Sequence, residues 1–156
     1  GIYFVHEAAN GPPQLDAATP DMVMVESYVP GRELTTTVMG DRPLTVTDIL
    51  TEGWYDYDAK YLADDTRYQI PCGLDPDSEL KLQHLALDAF RVLGCRTWGR
   101  VDIMEDRQGE FWILEVNTVP GMTDHSLVPM SARAAGISFE ELVVRILMDT
   151  LEAGDA

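Results

Sequence analysis

Apolar and polar positions alternate most cleanly on either side of Asp106-Arg107-Gln108-Gly109. Val101 and Ile103 interleave with Arg100 and Asp102 before it; Trp112, Leu114 and Val116 interleave with Glu115 and Asn117 after it. A period of two is that of a β-strand, whose successive side chains point to opposite faces. The four intervening residues, ending in Gly, predict a tight turn, so the two stretches form a hairpin. Pairing Glu105 with Glu110 would set Arg100 opposite Glu115, with Asp102 on the diagonal about 7–8 Å away. Arg100, Asp102, Glu115 and Asn117 then share one face, and Val101, Ile103, Trp112, Leu114 and Val116 the other.

Other stretches carry their own periods. Residues 1–5 are a short apolar run, and residues 6–21 an Ala-, Asn-, Gly- and Pro-rich connector. Residues 22–29 (M-V-M-V-E-S-Y-V), 33–39 and 44–50 predict three strands of an antiparallel meander, broken at Pro30-Gly31 and at Gly40-Asp41-Arg42-Pro43. Asp75-Pro76 is a helix start, a capping Asp followed by Pro in the first turn. Leu82, Leu85, Ala86, Ala89, Val92 and Leu93 mark its buried stripe, and Gly94 its end. A short helix is expected over residues 129–135. A last one opens on the capping box Ser138-Phe139-Glu140-Glu141 and buries Leu142, Val143, Ile146, Leu147 and Leu151. Residues 51–68 lack periodicity and concentrate Trp and Tyr, the mark of a binding loop or lid. The fold class expected is α+β, an antiparallel sheet with helices packed on one face.

Composition narrows the partners. Eleven basic against 27 acidic residues leave a formal charge of −16, which argues against nucleic acid and against an anionic membrane surface. Lys60 and Lys81 are the only lysines, so a functional lysine has few candidates. Cys72 and Cys95 fit no metal-binding spacing and read as reduced thiols of a cytoplasmic protein. No apolar run is long enough to span a membrane.

The polar face of the hairpin carries the chemistry. Two carboxylates and an amide oxygen held so close repel unless positive charge sits among them. A hard cation such as Mg²⁺ accepts such oxygens and keeps its other positions for water and phosphate. Arg100 beside them suits phosphate or a developing oxyanion. His84 reads as a surface residue of its helix. His125 is less suited to a general-base role than its neighbour Ser126 is to binding an anion.

These residues lie in T-W-G-R-V-D and in L-E-V-N-T-V-P-G-M-T-D-H-S-L, which together resemble the C-terminal half of D-alanine–D-alanine ligases of the ATP-grasp superfamily. The resemblance runs from about residue 1 to about residue 151. It implies that residues 1–156 are the C-terminal portion of an ATP-grasp domain, with the N-terminal substrate domain and the phosphate loop outside this chain. By the same resemblance Asp102, Glu115 and Asn117 bind two Mg²⁺ ions (or Mn²⁺). Arg100 and the Gly121 N–H hold the acyl phosphate and oxyanion, and Ser126 with the Leu127 N–H the carboxylate of the second D-alanine. V-E-S-Y-V-P-G-R-E-L-T resembles the family's adenosine-binding stretch, so Glu26, Ser27, Tyr28 and Val29 would flank adenine and Glu33 would grip ribose. W-Y-D-Y-D-A-K-Y resembles its mobile loop, with Lys60 reaching the transferring phosphate, Tyr55 and Tyr61 closing the lid and Trp54 near adenine.

The implied activity is ATP-dependent joining of two D-alanines through D-alanyl phosphate, in the bacterial cytoplasm, by a protein that is a homodimer at full length. The chain alone is expected to be inactive. The family commonly has Lys where Ser27 stands here. Two alternatives remain at this stage: a related ligase taking D-lactate or D-serine second, and a non-catalytic Mg-nucleotide-binding module. A calcium-binding domain lacks the ligand-dense loop it would need.

Overall fold

The computed structural model describes residues 24–50 and 67–154. Six strands form one antiparallel sheet: β1 (Gly31–Met39), β2 (Arg42–Pro43), β3 (Thr47–Leu50), β4 (Arg67–Gln69), β5 (Trp98–Asp106) and β6 (Phe111–Asn117). Their order across the sheet is β4-β3-β1-β5-β6, with β2 folded back on the end of β1. Among the described residues three helices join the sheet in an α+β architecture: α1 (Pro76–Val92), α2 (Leu127–Ala134) and α3 (Phe139–Gly154).

β1 is the centre of the sheet, paired along its whole length with β5 and at its start with β3. Its even positions Leu34 and Val38 join Val101 and Ile103 of β5 beneath α1, which contributes Leu82, Ala86, Leu87 and Phe90. Complete burial of each large side chain here stabilises by about 1.5–3 kcal/mol. Asp75 starts α1 as expected, its carboxylate accepting the Asp77 and Ser78 N–H groups at 3.1 Å. Those hydrogen bonds, with the Ser78 hydroxyl first, hold the Asp75 pKa below the ordinary carboxylate value. The smaller α2 lies at the opposite, odd-numbered face, so the helices flank the sheet on both sides and not on the one face expected. Its Leu127 meets Ile49, its Val128 and Ala132 meet Met39 and Leu44, and Ser131 Oγ donates to the Thr45 carbonyl at 2.8 Å.

Several expected elements differ in detail. Residues 24–29 are not a strand, and Met24, Val25 and Tyr28 are exposed. They form extended chain that leads into β1. Residues 44–46 bridge β2 and β3 rather than extending a strand, although Leu44 and Val46 are buried. In α1 the stripe runs through Leu87 and Phe90; Val92 and Leu93, at the end that leaves the sheet, are exposed. In α3 Leu142 is buried, whereas Val143, Leu147 and Leu151 are exposed, because this helix rests chiefly on α2.

Cys72 is buried in the α1 core, where burial pushes its thiol pKa up, and Cys95 packs against that core; both are free thiols. No helix among the described residues is long and apolar enough to cross a membrane. The expected features of residues 1–23 lie outside the described residues.

Candidate active site

The hairpin turn is the one the sequence specifies. Asp106 Oδ1 accepts the Gln108 and Glu110 N–H groups at 2.9 Å, and Gly109 adopts φ +81°, which a side chain would disfavour. The register beyond it differs from the expectation. The closing hydrogen bond runs from the Asp106 N–H to the Glu110 carbonyl, so Glu105 faces Phe111 instead of Glu110. A β-bulge then falls between Ile103 and Asp102: Ile103 pairs with Ile113, Asp102 with Glu115 and Arg100 with Asn117. Leu114 is the extra residue.

Two expectations are corrected by this bulge. Asp102, not Arg100, stands opposite Glu115. Phe111 and Ile113, not Trp112 and Leu114, join Val116 on the core face. Trp112 and Leu114 are exposed, and the Trp112 indole donates to Asp106 Oδ2 at 2.9 Å. The polar grouping survives, since Arg100, Asp102, Glu115 and Asn117 do share one face. β1 adds Glu33, Thr35 and Thr37 to it, through the pairs Glu33–Met104, Thr35–Asp102 and Thr37–Arg100.

Within that face the first counter-charge comes from the protein itself. Arg100 Nε and Nη2 clasp Asp102 Oδ1 and Oδ2 at 2.8 and 2.7 Å, a bidentate ion pair. Asp102 is 2% exposed, so a missing partner would leave a buried charge uncompensated. Thr35, equally buried, donates its hydroxyl to Asp102 Oδ1 at 2.6 Å. Glu115 is exposed at the mouth of the face. Asn117 Oδ1 accepts the Val119 N–H at 3.1 Å and keeps a second lone pair. Two carboxylates and an amide oxygen fit a hard cation that takes its remaining ligands from phosphate and water. Among the described residues no group of three His, Cys, Asp or Glu side chains could hold a metal, so a cation here depends on such outside ligands.

At the N-terminus of α2, Ser126 is the capping residue: its carbonyl accepts the Met130 N–H at 3.2 Å, but its side chain makes no capping bond. Its Oγ instead accepts the Thr123 N–H at 3.0 Å and shares a 2.9 Å hydrogen bond with Thr123 Oγ1. A Cβ at Gly121 would lie 2.8 Å from Ser126 Oγ, so the loop closes this tightly only around glycine. Leu127 opens α2, with its side chain buried beside Ile49.

Glu26, Ser27 and Tyr28 are exposed and Val29 half-buried, in extended chain leading into β1. Trp54, Tyr55, Lys60 and Tyr61 lie outside the described residues. His84 and His125 are exposed. Sequence reasoning missed Thr35: within Thr35-Thr36-Thr37, strand propensity already accounts for the residue type, and only the register singles it out.

The family model for the D-Ala–D-Ala ligase C-terminus matches residues 6–148. The chain is 67% identical to a D-alanine–D-alanine ligase of Marinobacter nauticus, over 99% of this chain and 48% of that protein. It is 57% identical to one from Pseudoalteromonas translucida, over 83% and 42%. The Bacillus anthracis D-alanine–D-alanine ligase, solved in complex with ATP, superposes with a TM-score of 0.70 at 29% identity, covering 82% of this chain and 40% of that one. The chain thus spans about half the length of the curated relatives it matches. With the family model covering most of its length and its fold shared with a solved member, the chain belongs to the D-alanine–D-alanine ligase family, as that family's C-terminal part.

Proposed function

We propose that the full-length protein joins two D-alanines at the expense of ATP, and that this chain supplies the nucleotide- and cation-facing half of its site. The observation carrying the reading is the single face shared by Glu33, Arg100, Asp102, Glu115 and Asn117, in a chain of this family. A carboxylate acylates poorly. Its oxygen first takes the γ-phosphoryl group, releasing ADP; the amine of the second D-alanine then attacks the carbonyl carbon, loses a proton, and phosphate leaves. Both steps gather negative charge, so the protein's task is to place and neutralise it.

Asp102, Glu115 and Asn117 would hold one or two Mg²⁺ ions, with Mn²⁺ as a substitute. A divalent cation there supplies charge neutralisation for the phosphate oxygens. Arg100, fixed by Asp102, presents a planar cation to the acyl phosphate and to the oxyanion, with the Gly121 N–H as second donor. With Thr123 Oγ1 donating to Ser126 Oγ, the Ser126 proton can point outward to the carboxylate of the second D-alanine, beside the Leu127 N–H. Glu33 would take the ribose hydroxyls and residues 26–29 the adenine edge. Trp54, Tyr55, Lys60 and Tyr61 are assigned by resemblance to closing over the reactants. The setting inferred is the cytoplasm of a bacterium, with the full-length protein a homodimer.

The test is D-alanine-dependent ADP release from Mg-ATP by the full-length protein. Release that requires D-alanine and yields the dipeptide is expected. Its absence, with Mg-ATP still bound, would replace the ligase by a nucleotide-binding module, and release with D-lactate or D-serine in preference would change the second substrate. The 156-residue chain alone is expected to release no ADP in response to D-alanine.

A further inference from the structure

We infer that Thr35 is a positioning residue for cation binding: its hydroxyl decides which oxygen of Asp102 is left for a metal. The inference rests on the proposed role of Asp102 as a cation ligand. Asp102 Oδ1 accepts from Thr35 Oγ1 at 2.6 Å and from Arg100 Nε at 2.8 Å, which uses both of its in-plane lone pairs. Oδ2 accepts from Arg100 Nη2 at 2.7 Å and retains one lone pair. The carboxylate is thereby a one-oxygen ligand, offering Oδ2 alone.

Arg100 by itself could not make that selection. Its two-point clasp is nearly symmetric, and each carboxylate oxygen would keep one lone pair. Thr35 breaks the symmetry. The hydroxyl also lies 3.1 Å from the Val101 carbonyl, but it has one proton, and the shorter, charge-assisted contact to Asp102 takes it. Thr35 is held in place by register. It pairs with Asp102 on one side and Thr47 on the other, and it is almost wholly buried. The same row, Thr47, Thr35, Asp102 and Glu115, crosses four strands and ends at the exposed carboxylate. Thr47 Oγ1 is completely buried with no hydrogen-bond partner among the described residues, so its hydroxyl does not stand in for that of Thr35.

The experiment measures Mn²⁺ affinity by electron paramagnetic resonance in the ATP complex of the full-length protein. Thr35→Val, which keeps the shape and loses the hydroxyl, is expected to weaken Mn²⁺ about 10–100-fold, the usual cost of losing a hydrogen bond to a metal ligand. Thr35→Ser should restore affinity to within about threefold of the parent. Thr35→Ala replaces the Val variant should that one fail to fold. Unchanged Mn²⁺ affinity in a folded Val or Ala variant overturns the inference, as does a Ser variant as weak as the Val one. Asp102→Asn separates the two readings. If it weakens Mn²⁺ while Thr35→Val does not, only the role of Thr35 falls; if Asp102→Asn leaves the affinity unchanged, the cation-ligand reading falls with it.

Discussion

Two arginines on this sheet hold carboxylates, and the contrast between them separates a fastening from a site. Arg32 lies on the α1 face. Its Nε and Nη2 reach Asp48 of β3 at 3.1 and 2.7 Å, its Nη1 reaches Glu105 of β5 at 3.1 Å, and Nη2 also donates to the Cys72 carbonyl at 2.7 Å. Three strands and a loop converge on one side chain. Burial works against its charge, but the Asp48 hydrogen bond and the charges of Asp48 and Glu105 outweigh it and raise the Arg32 pKa. Arg100 lies on the opposite face and gives two of its N–H groups to a residue two places along its own strand. That pair lies within one strand. Burial does not distinguish them, since the Arg100 side chain, at 13% exposed, is more enclosed than Arg32 at 39%. The difference lies in where the described partners sit: Asp48 and Glu105, held by Arg32, come from neighbouring strands, while Asp102, held by Arg100, lies on the same strand beside two further oxygen donors.

The contrast breaks first at Arg100. Arg100→Lys keeps the charge but loses the two-point fork, and should lower the ligase kcat/KM of the full-length protein at least about 100-fold with little change in melting temperature. A lysine variant retaining a tenth of the activity would make Arg100 another fastening. Arg32→Met is the mirror experiment. It should cost about 3 kcal/mol of unfolding free energy, because it leaves the buried Asp48 carboxylate without its partner even though the guanidinium itself is partly solvated, and leave kcat within about threefold. Urea titration and steady-state assays together decide whether the two effects part company. Gly121→Ala sharpens the site side: its Cβ pushes Ser126 Oγ away from Thr123, raising KM for D-alanine less than about tenfold without altering stability.

The smallest effect belongs to the hairpin turn. The Trp112 indole, then the Glu110 and Gln108 N–H groups, hold the Asp106 pKa below the ordinary carboxylate value. A depressed native pKa means the unfolded chain binds more protons. The stabilisation is therefore present above about pH 4 and is lost as pH falls through the native pKa. Asp106→Asn should flatten the fall of the urea midpoint between pH 5 and pH 3. An unaltered slope would show that these hydrogen bonds do not couple to folding.

Much of this was legible in the chain and some was not, for physical reasons. The turn was readable because Asp and Gly meet specific backbone demands at Asp106 and Gly109. The start of α1 was readable because Asp75 and Pro76 do so as well. The polar face was readable because charged residues at alternate positions in apolar strands can only line up one way. The bulge was not readable: Leu114 is one apolar residue among several, and nothing local reports that two residues must face one. The stripe of α1 was misjudged at its end because Leu85, Leu87, Ala89, Phe90, Val92 and Leu93 offer two overlapping helical periods, and packing against β1 chooses between them. In α3 the pattern shows that an apolar side exists, not what it meets. Thr35 was hidden by being an ordinary strand residue whose importance arises only across the ladder.

The bulge also bears on how this hairpin can be assembled and altered. Were β6 to continue past Ile113 in unbroken step, Leu114 would face Asp102 and Glu115 would be driven against Val101 into the α1 core, an unpaired carboxylate in apolar surroundings. That mispairing is self-rejecting, so the zipper that starts at the turn has a single permitted way to finish. Deletion is a different matter. Without Leu114, Glu115 would follow Ile113 directly, and the pairs Asp102–Glu115 and Arg100–Asn117 would be those of an uninterrupted ladder. The strand therefore tolerates losing one residue at Leu114 better than it tolerates a one-residue slip.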